Sequence, residues 1–212
     1  EFQVYIAIIV AAFLNIGVYT FLNQYHNVAD TTRNTLFQVN ENVTTTGLGT
    51  ADYEHWSNSS QFLLLLIMFV GGSAGSTAGG MKVMRIYLVV KFVFMEIKRL
   101  VHPQAVLPVR MGGVAVQRDV VTNILGFFAL FILIFAAGVF TMSLLGLDLP
   151  TSLGVVAATL GNIGPGLGDV GPTDNYAFIS PVGKWVLSFL MLLGRLELFT
   201  VIVLFSPSYW RK

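Results

Sequence analysis

Two glycine-containing turns carry the residue pattern of this chain that is best suited to chemistry. Glycine adopts positive φ values without steric strain, so a backbone that contains it can point successive carbonyl oxygens toward one axis. A ring of such oxygens can replace the water around a dehydrated cation. Both turns have the pattern x-x-Gly-x-Gly, and the predicted coordinating residues are Thr45, Thr46, Gly47, Leu48, Asn162, Ile163, Gly164 and Pro165.

Either turn taken singly is better explained as a surface loop, because Gly-x-Gly is a weak signal. The preference reverses because the two turns occupy matched positions, each after a short apolar segment and before a long one. The glycine spacing is also that of the Thr-Val-Gly-Tyr-Gly filter of potassium channels. The pattern therefore predicts coordination of a cation by main-chain oxygens at both turns.

A run of ten small residues interrupts the second long apolar stretch of the chain. Each interior glycine costs a helix about 1 kcal/mol relative to alanine, so we predict a loop within the membrane. A phosphate-binding loop does not fit, because Met81 separates Gly80 from Lys82 and no strand precedes the run. Close helix packing through small residues stays open as an alternative. The run, called the glycine-rich loop below, consists of Gly71, Gly72, Ser73, Ala74, Gly75, Ser76, Thr77, Ala78, Gly79 and Gly80.

Arg195 is a charged residue inside the last apolar stretch, where we expect it near the middle of a membrane span. An arginine at the bilayer centre costs at least about 2.5 kcal/mol, so it should face protein or water. Glu197 is two residues away on a different helix face and is a poor partner. We predict that Arg195 meets the glycine-rich loop below the turns, that loop carbonyls accept from its guanidinium, and that the two form a gate. The alternative is that Arg195 only ties two helices together.

Composition indicates that a lipid bilayer surrounds these residues. Of 212 residues, 55% are hydrophobic and 11% charged, and the mean hydropathy is +0.74. A helix needs about 20 apolar residues to cross the hydrocarbon. Four stretches are long enough: Phe2 to Leu22, Phe62 to Val93, Val120 to Leu147 and Val182 to Phe205.

Composition also excludes several functions. The chain has no cysteine, which excludes thiol and disulfide chemistry. Its net charge of +1 argues against a nucleic-acid partner. The three histidines are scattered and the acids lack the spacing of metal ligands. We expect neither enzymatic activity nor a covalent cofactor.

An internal duplication orders these elements. Two short segments, Thr31 to Thr44 and Pro150 to Leu160, cannot cross a membrane and precede the two turns. Gly47 and Gly164 align at an offset of 117 residues, and Met68 and Met191 at 123. Such repeats are common in transport proteins. We predict an all-α integral membrane fold of two tandem repeats, each with an outer helix, a pore helix, a filter and an inner helix. The repeats cover residues 1–101 and 118–212, with a cytoplasmic linker at 102–117.

Charge predicts the orientation in the membrane. The segment from Lys82 to Arg118 is strongly basic, and Arg211 and Lys212 end the chain. The loops that carry the turns are mainly acidic. Because basic loops stay cytoplasmic, we expect the turns to approach from outside and the C-terminus to lie inside.

The chain resembles the Trk/Ktr/HKT superfamily of potassium transporters, and its TrkH-type membrane subunits in particular. The resemblance covers essentially the whole chain. It rests on Thr44-Thr45-Thr46-Gly47, the run from Gly71 to Lys82, Gly161-Asn162-Ile163-Gly164-Pro165-Gly166, and Gly194-Arg195-Leu196-Glu197-Leu198-Phe199.

The resemblance implies four repeats with pseudo-fourfold symmetry around one pore, of which this chain is the third and fourth. It implies that Gly47 and Gly164 are glycines of a potassium-selective filter and that Arg195 lies beside an intramembrane gating loop. It further implies potassium as the substrate, a bacterial inner-membrane location, a homodimer of complete subunits and a cytoplasmic nucleotide-binding regulatory subunit of the TrkA type facing the basic linker.

Only two of four filter segments are present. We expect the chain to be the C-terminal half of a longer subunit, since it begins without a leader, rather than one of two copies that assemble. The expected function is passive or weakly coupled potassium uptake. Two rival interpretations stay open: a secondary transporter that binds a small anionic solute at the broken helix, and a non-conducting structural or regulatory membrane subunit.

Overall fold

The computed structural model describes residues 1–104 and 108–210, which are mostly helical. The α-helices in this part of the chain are α1 (Phe2–Thr20), α2 (Val28–Thr44), α3 (Asn58–Val70), α4 (Val83–Val101), α5 (Arg118–Leu144), α6 (Leu149–Leu160), α7 (Pro181–Arg195), α8 (Leu198–Leu204) and α9 (Pro207–Trp210). A π-helical turn, Phe21–Tyr25, extends α1, and short 3-10 turns lie at Tyr53–His55 and Tyr176–Phe178.

Two of the four predicted spans are continuous. The rod Phe2–Tyr25 has 24 residues and α5 has 27, and both are long and apolar enough to cross a membrane. The helices α7 and α8 make a third span only if they are counted together across a bend of 114°. The second stretch is divided into α3 and α4, as the glycine-rich loop predicts.

The stretch from Val182 to Phe205, which was expected to place Arg195 near the middle of a membrane span, is divided into two helices. The helix α7 ends at Arg195, and α8 begins at Leu198. Between them Glu197 adopts φ 61° and ψ 132°, values that cannot continue an α-helix. Arg195 therefore lies at a helix end beside a break rather than in the middle of a span.

The two predicted short helices are present and pack against the long ones. The structure starts α2 at Val28, before the predicted Thr31, because the Asn27 side chain caps the helix by accepting from the amide of Ala29. The helix α2 packs against α1 and α3, and α6 packs against α5 and α7.

Each half of the chain has its own apolar core. Ile16, Val39 and Leu64 belong to the core between α1, α2 and α3. The core between α5, α6 and α7 includes Phe131, Val156 and Leu190. A small cluster of Met68, Ala157 and Ile163 joins the halves next to the second turn.

The predicted linker, residues 102–117, contains a feature absent from the all-α prediction. Two short antiparallel strands, β1 (Arg110–Met111) and β2 (Val114–Ala115), pair around a glycine turn. Residues 105–107 of the linker, and the C-terminal Arg211 and Lys212 used to predict orientation, lie outside the described residues. The division into two repeats stays a prediction.

Candidate functional site

The two glycine turns lie against each other. Gly47 has φ +78° and Gly164 has φ +119°, conformations that L side chains rarely adopt. A Cβ built on Gly164 would lie 3.5 Å from the Cα of Gly47, and one built on Gly47 would lie 2.7 Å from the carbonyl oxygen of Ile163. Glycine at position 47 is therefore required by both its backbone conformation and its neighbour.

Both turns leave the end of a short helix in the same way. Thr45 has φ +55° after α2, and Asn162 has φ +53° after α6, each two residues before the glycine. The C-terminal end of a helix carries a partial negative charge that favours cations. The two short helices thus bring their negative ends to one place.

Main-chain oxygens of the turns are largely free of protein donors. Among the described residues, the carbonyls of 45–48 and 162–165 accept no hydrogen bond except at Gly164. There the Tyr176 hydroxyl donates to the carbonyl at 2.6 Å. An unpaired polar oxygen is available for an ion, whereas the Gly164 oxygen already has one protein partner.

Tyrosines on matching 3-10 turns donate hydrogen bonds to main-chain oxygens of the second turn. The Tyr53 hydroxyl donates to the Gly166 carbonyl at 2.8 Å, and Tyr53 is fully buried. Tyr53 belongs to the first half, so this bond crosses between the halves.

Burial raises the pKa of Tyr53, with a smaller contribution from nearby acids, and burial raises the pKa of Tyr176 to about 12. Both phenols therefore stay protonated donors at neutral pH. Sequence reasoning missed them, although Tyr53 and Tyr176 share the 123-residue offset.

The glycine-rich loop packs directly beneath both turns. The amide of Gly79 donates to Thr45 Oγ1 at 3.2 Å. A Cβ built on Gly79 would overlap the carbonyl oxygen of Gly161, which precedes the second turn. The loop is closed at its base, where Met81 donates to the Phe69 carbonyl at 3.0 Å.

The expected contact between the loop and Arg195 is present. Arg195 Nη1 donates to the Thr77 carbonyl at 2.5 Å. The preceding residue, Gly194, lies against the end of α6, so that an added Cβ would overlap the carbonyl oxygen of Leu160. One short segment of α7 thus touches both the base of the second turn and the loop.

A charged cluster that the sequence did not predict surrounds this contact. Arg85 pairs with Glu197 at 2.9 Å and lies 4.2 Å from the centre of the Phe127 ring. Lys82, Arg85, Arg195 and Glu197 line a cavity of about 320 Å³ together with the loop. The signal in the sequence was Lys82 and Arg85, two cations three residues apart in an apolar stretch.

No group of three or more His, Asp or Glu side chains within residues 1–104 and 108–210 is placed to hold a metal. The oxygens available at the turns belong to uncharged peptide groups, which suit a weakly held monovalent cation that must leave again. Long apolar helices that are mostly exposed, two short helices that end side by side and carbonyls without protein donors are features of a helical membrane protein with a candidate cation site.

The chain belongs to the TrkH family, whose family model, described as "Cation transport protein", matches residues 2–212. It is therefore a member of a transport family rather than an enzyme family. The family resemblance drawn from the sequence motifs is confirmed.

Named relatives agree with this assignment. The chain is 43% identical over 180 residues to the Trk system potassium uptake protein TrkH of Halomonas elongata, covering 85% of this chain and 37% of that protein. It is 40% identical over 216 residues to the protein of the same name from Salmonella typhimurium, covering 100% of this chain and 44% of that protein.

A solved structure agrees as well. The crystal structure of the potassium transporter TrkH from Vibrio parahaemolyticus superposes with a TM-score of 0.92 at 40% identity, over 100% of this chain and 45% of that one. The chain thus spans less than half the length of the relatives it matches.

Proposed function

We propose that this chain forms half of a potassium-conducting pore, in which the two turns supply two filter segments of main-chain oxygens. The observation that carries the proposal is the direct apposition of Gly47 and Gly164 beside carbonyls that have no protein donor. The printed names of the relatives, potassium uptake proteins and a potassium transporter, support potassium as the ion. The other filter segments come from chain beyond these residues.

The filter is tested by Gly47→Ser in the complete pore, with the ratio of potassium to sodium flux measured in liposomes. The added side chain collides with Ile163 and strains the turn, so discrimination against sodium should fall about tenfold, which corresponds to about 1.4 kcal/mol. Gly112→Ser is the matched control, because Gly112 also has positive φ but has no atom within 4 Å of an added Cβ. An unchanged ratio in Gly47→Ser contradicts the filter assignment.

We propose further that the glycine-rich loop, residues Gly71 to Gly80, and Arg195 form the gate. The hydrogen bond from Arg195 to Thr77 and the packing of Gly79 beneath both turns support this role. Arg195→Ala removes the donor and should raise flux several-fold. Arg99→Ala is the control, since Arg99 pairs only at the surface with Glu96 at 3.6 Å. Equal or lower flux in folded Arg195→Ala protein favours a role in tying helices together.

The predicted repeats 1–101 and 118–212, the cytoplasmic C-terminus and the inner-membrane location belong to this proposal. So do the homodimer of complete subunits and a nucleotide-binding regulatory subunit facing the linker 102–117. Four basic residues between positions 85 and 99 support a cytoplasmic end for α4.

One observation favours a rival function. The cavity of about 320 Å³ is lined by three cations and one carboxylate, which suits a small anionic solute. Competition by small anions with transport supports this rival. Stabilisation of the complete protein by potassium against heat supports the pore.

A further inference from the structure

We propose that Lys82 positions the glycine-rich loop for its contact with Arg195 and so keeps the gate closed. The inference rests on the proposed gate and adds a residue to it. Lys82 follows the loop and is the N-cap residue of α4. It was not among the residues expected to form the gate.

The Lys82 ammonium group makes three hydrogen bonds, all of them to the loop. It donates to the Ser76 carbonyl at 2.7 Å, to Ser76 Oγ at 3.3 Å, and to the Ala78 carbonyl. An ammonium group has three N–H donors, so its capacity is fully used. Hydrogen bonds from a charged donor are roughly twice as strong as those between neutral groups.

Two cations from different elements divide three successive loop carbonyls. Lys82 takes those of Ser76 and Ala78, while Arg195 takes that of Thr77 between them. Because Lys82 fixes the residues on both sides, the Thr77 carbonyl is held facing the guanidinium. Loss of Lys82 would remove the charged contacts on both sides of Thr77 and leave only the bonds of Ser76 to Ser73 and of Gly79 to Thr45 nearby.

The loop is held in shape by hydrogen bonds rather than by apolar side-chain packing. Its residues are glycine, serine, alanine and threonine, and none of them belongs to an apolar core of the described residues. Inside the loop, Ser76 donates to the Ser73 carbonyl through its amide at 3.1 Å and through its hydroxyl at 2.7 Å. These bonds shape one turn. Gly72, Ala74 and Gly79 make hydrogen bonds outside the loop, and these bonds together with the two cations fix where the turn lies.

The backbone of Lys82 directs its side chain back into the loop. Lys82 has φ 68° and ψ 130°, a conformation that L residues rarely adopt. Glu197 has nearly the same values, φ 61° and ψ 132°, where α8 begins. The two helix breaks thus use one backbone turn with opposite charges: Lys82 binds the loop, and Glu197 binds Arg85. A strained residue persists where its surroundings fix it, and here the three loop contacts do so.

The experiment combines a flux assay with a direct probe of the loop in the complete pore. This chain has no cysteine, so Thr77→Cys gives it one site for a nitroxide spin label. The Thr77 side chain makes no hydrogen bond in the described residues, so the label leaves the carbonyl contact in place. The variants are Lys82→Met, which keeps length without donors, Lys82→Gln as a second neutral replacement, and Lys82→Arg.

The matched control is Lys91→Met on the same helix. Lys91 lies nine residues after Lys82 and also donates to a main-chain carbonyl, that of Arg110 at 2.8 Å, which does not belong to the loop. A general loss of a lysine contact from α4 would affect this control as strongly as the Lys82 variants.

Lys82→Met and Lys82→Gln should increase label mobility and raise flux several-fold, while Lys82→Arg and Lys91→Met retain the parent values. Adding Arg195→Ala to Lys82→Met should raise flux no further than the larger single effect, because both residues act on one loop. Unchanged label mobility in both neutral variants overturns the inference. Increased mobility with unchanged flux supports the role of Lys82 but overturns the proposed gate.

Discussion

The short helices α2 and α6 end in turns of similar backbone conformation, but the buried side chains behind the two turns differ in polarity. Behind the first turn, α2 buries Gln38, Glu41 and Asn42, which are 0%, 3% and 0% exposed. At the equivalent positions, offset by 117, α6 places Val155, Ala158 and Thr159, also buried. The first turn is backed by a polar wall, and the second by a mainly apolar one.

The polar wall has more acceptors than donors. Gln38 donates through Nε2 to the Ala51 carbonyl at 2.8 Å, and Asn42 donates through Nδ2 to the Gln38 carbonyl at 2.8 Å. The side-chain oxygens of Gln38, Glu41 and Asn42 have no hydrogen-bond partner in the described residues. The two turns therefore have a similar backbone conformation that is stabilised in different ways. Apolar packing surrounds α6, whereas side chains of α2 donate hydrogen bonds to main-chain carbonyls.

The largest expected effect on stability comes from placing a carboxylate in the apolar wall and removing one from the polar wall. Ala158→Glu places a carboxylate where Ala158 is 1% exposed, and an unpaired buried charge should lower the free energy of unfolding by about 3–5 kcal/mol. Glu41→Gln supplies an amide donor to a wall that lacks donors and should raise it by about 1–3 kcal/mol. Thermal unfolding of the complete protein in detergent measures both.

The sign of the Glu41→Gln effect decides between two pictures of the polar wall. Stabilisation means that the carboxyl group is unpaired in the folded protein. Destabilisation means that the carboxylate has a partner outside the described residues. The two walls would then differ in whether their polar groups bind a further partner, and the polar wall would not lack donors.

Substitutions of the two tyrosines are expected to have effects of intermediate size. Tyr53→Phe leaves the Gly166 carbonyl without its donor at a fully buried residue and should cost about 1–3 kcal/mol of unfolding free energy. Tyr176→Phe frees the Gly164 carbonyl of the second turn, so it should change ion flux more than stability. Measuring both quantities in both variants tests this division. Equal effects on flux would show that the two tyrosines do not differ in their relation to the proposed filter.

The smallest expected effect concerns the pH dependence of stability and the carboxyl group of Glu54. Burial raises the pKa of Glu54 above its usual 4.5, and neighbouring Asp174 and Asp52 raise it further. The folded state therefore binds this proton more tightly than the unfolded state, so stability falls as pH rises from about 4.5 through the raised pKa. Glu54→Gln should flatten that slope slightly in thermal unfolding of the complete protein at a series of pH values. A steeper slope in Glu54→Gln would contradict this sign.

The sequence predicted the features that depend on local composition. Apolar length located α1 and α5, and the small residues located the break between α3 and α4. The contact of Arg195 with the loop was also predictable, because a cation among apolar residues needs an acceptor.

Features that depend on tertiary contacts were not predictable. The bend after Arg195 was not predictable, since the positive φ belongs to Glu197 rather than to the nearby Gly194. The Glu197 side chain pairs with Arg85, 112 residues away in sequence. The hydroxyl contacts of Tyr53 and Tyr176 likewise depend on where the second turn lies. The strand pair in the linker is too short for a periodic pattern to show.

Gly194 and Arg195 are consecutive residues, and one lies against the end of α6 while the other binds the glycine-rich loop. A rotation of the end of α7 that withdraws the guanidinium from Thr77 must also shift the contact that carries the second turn. In the proposed pore, ion flux and ion selectivity would then depend on the same helix end. A variant that raises flux by moving the end of α7 should also lower selectivity.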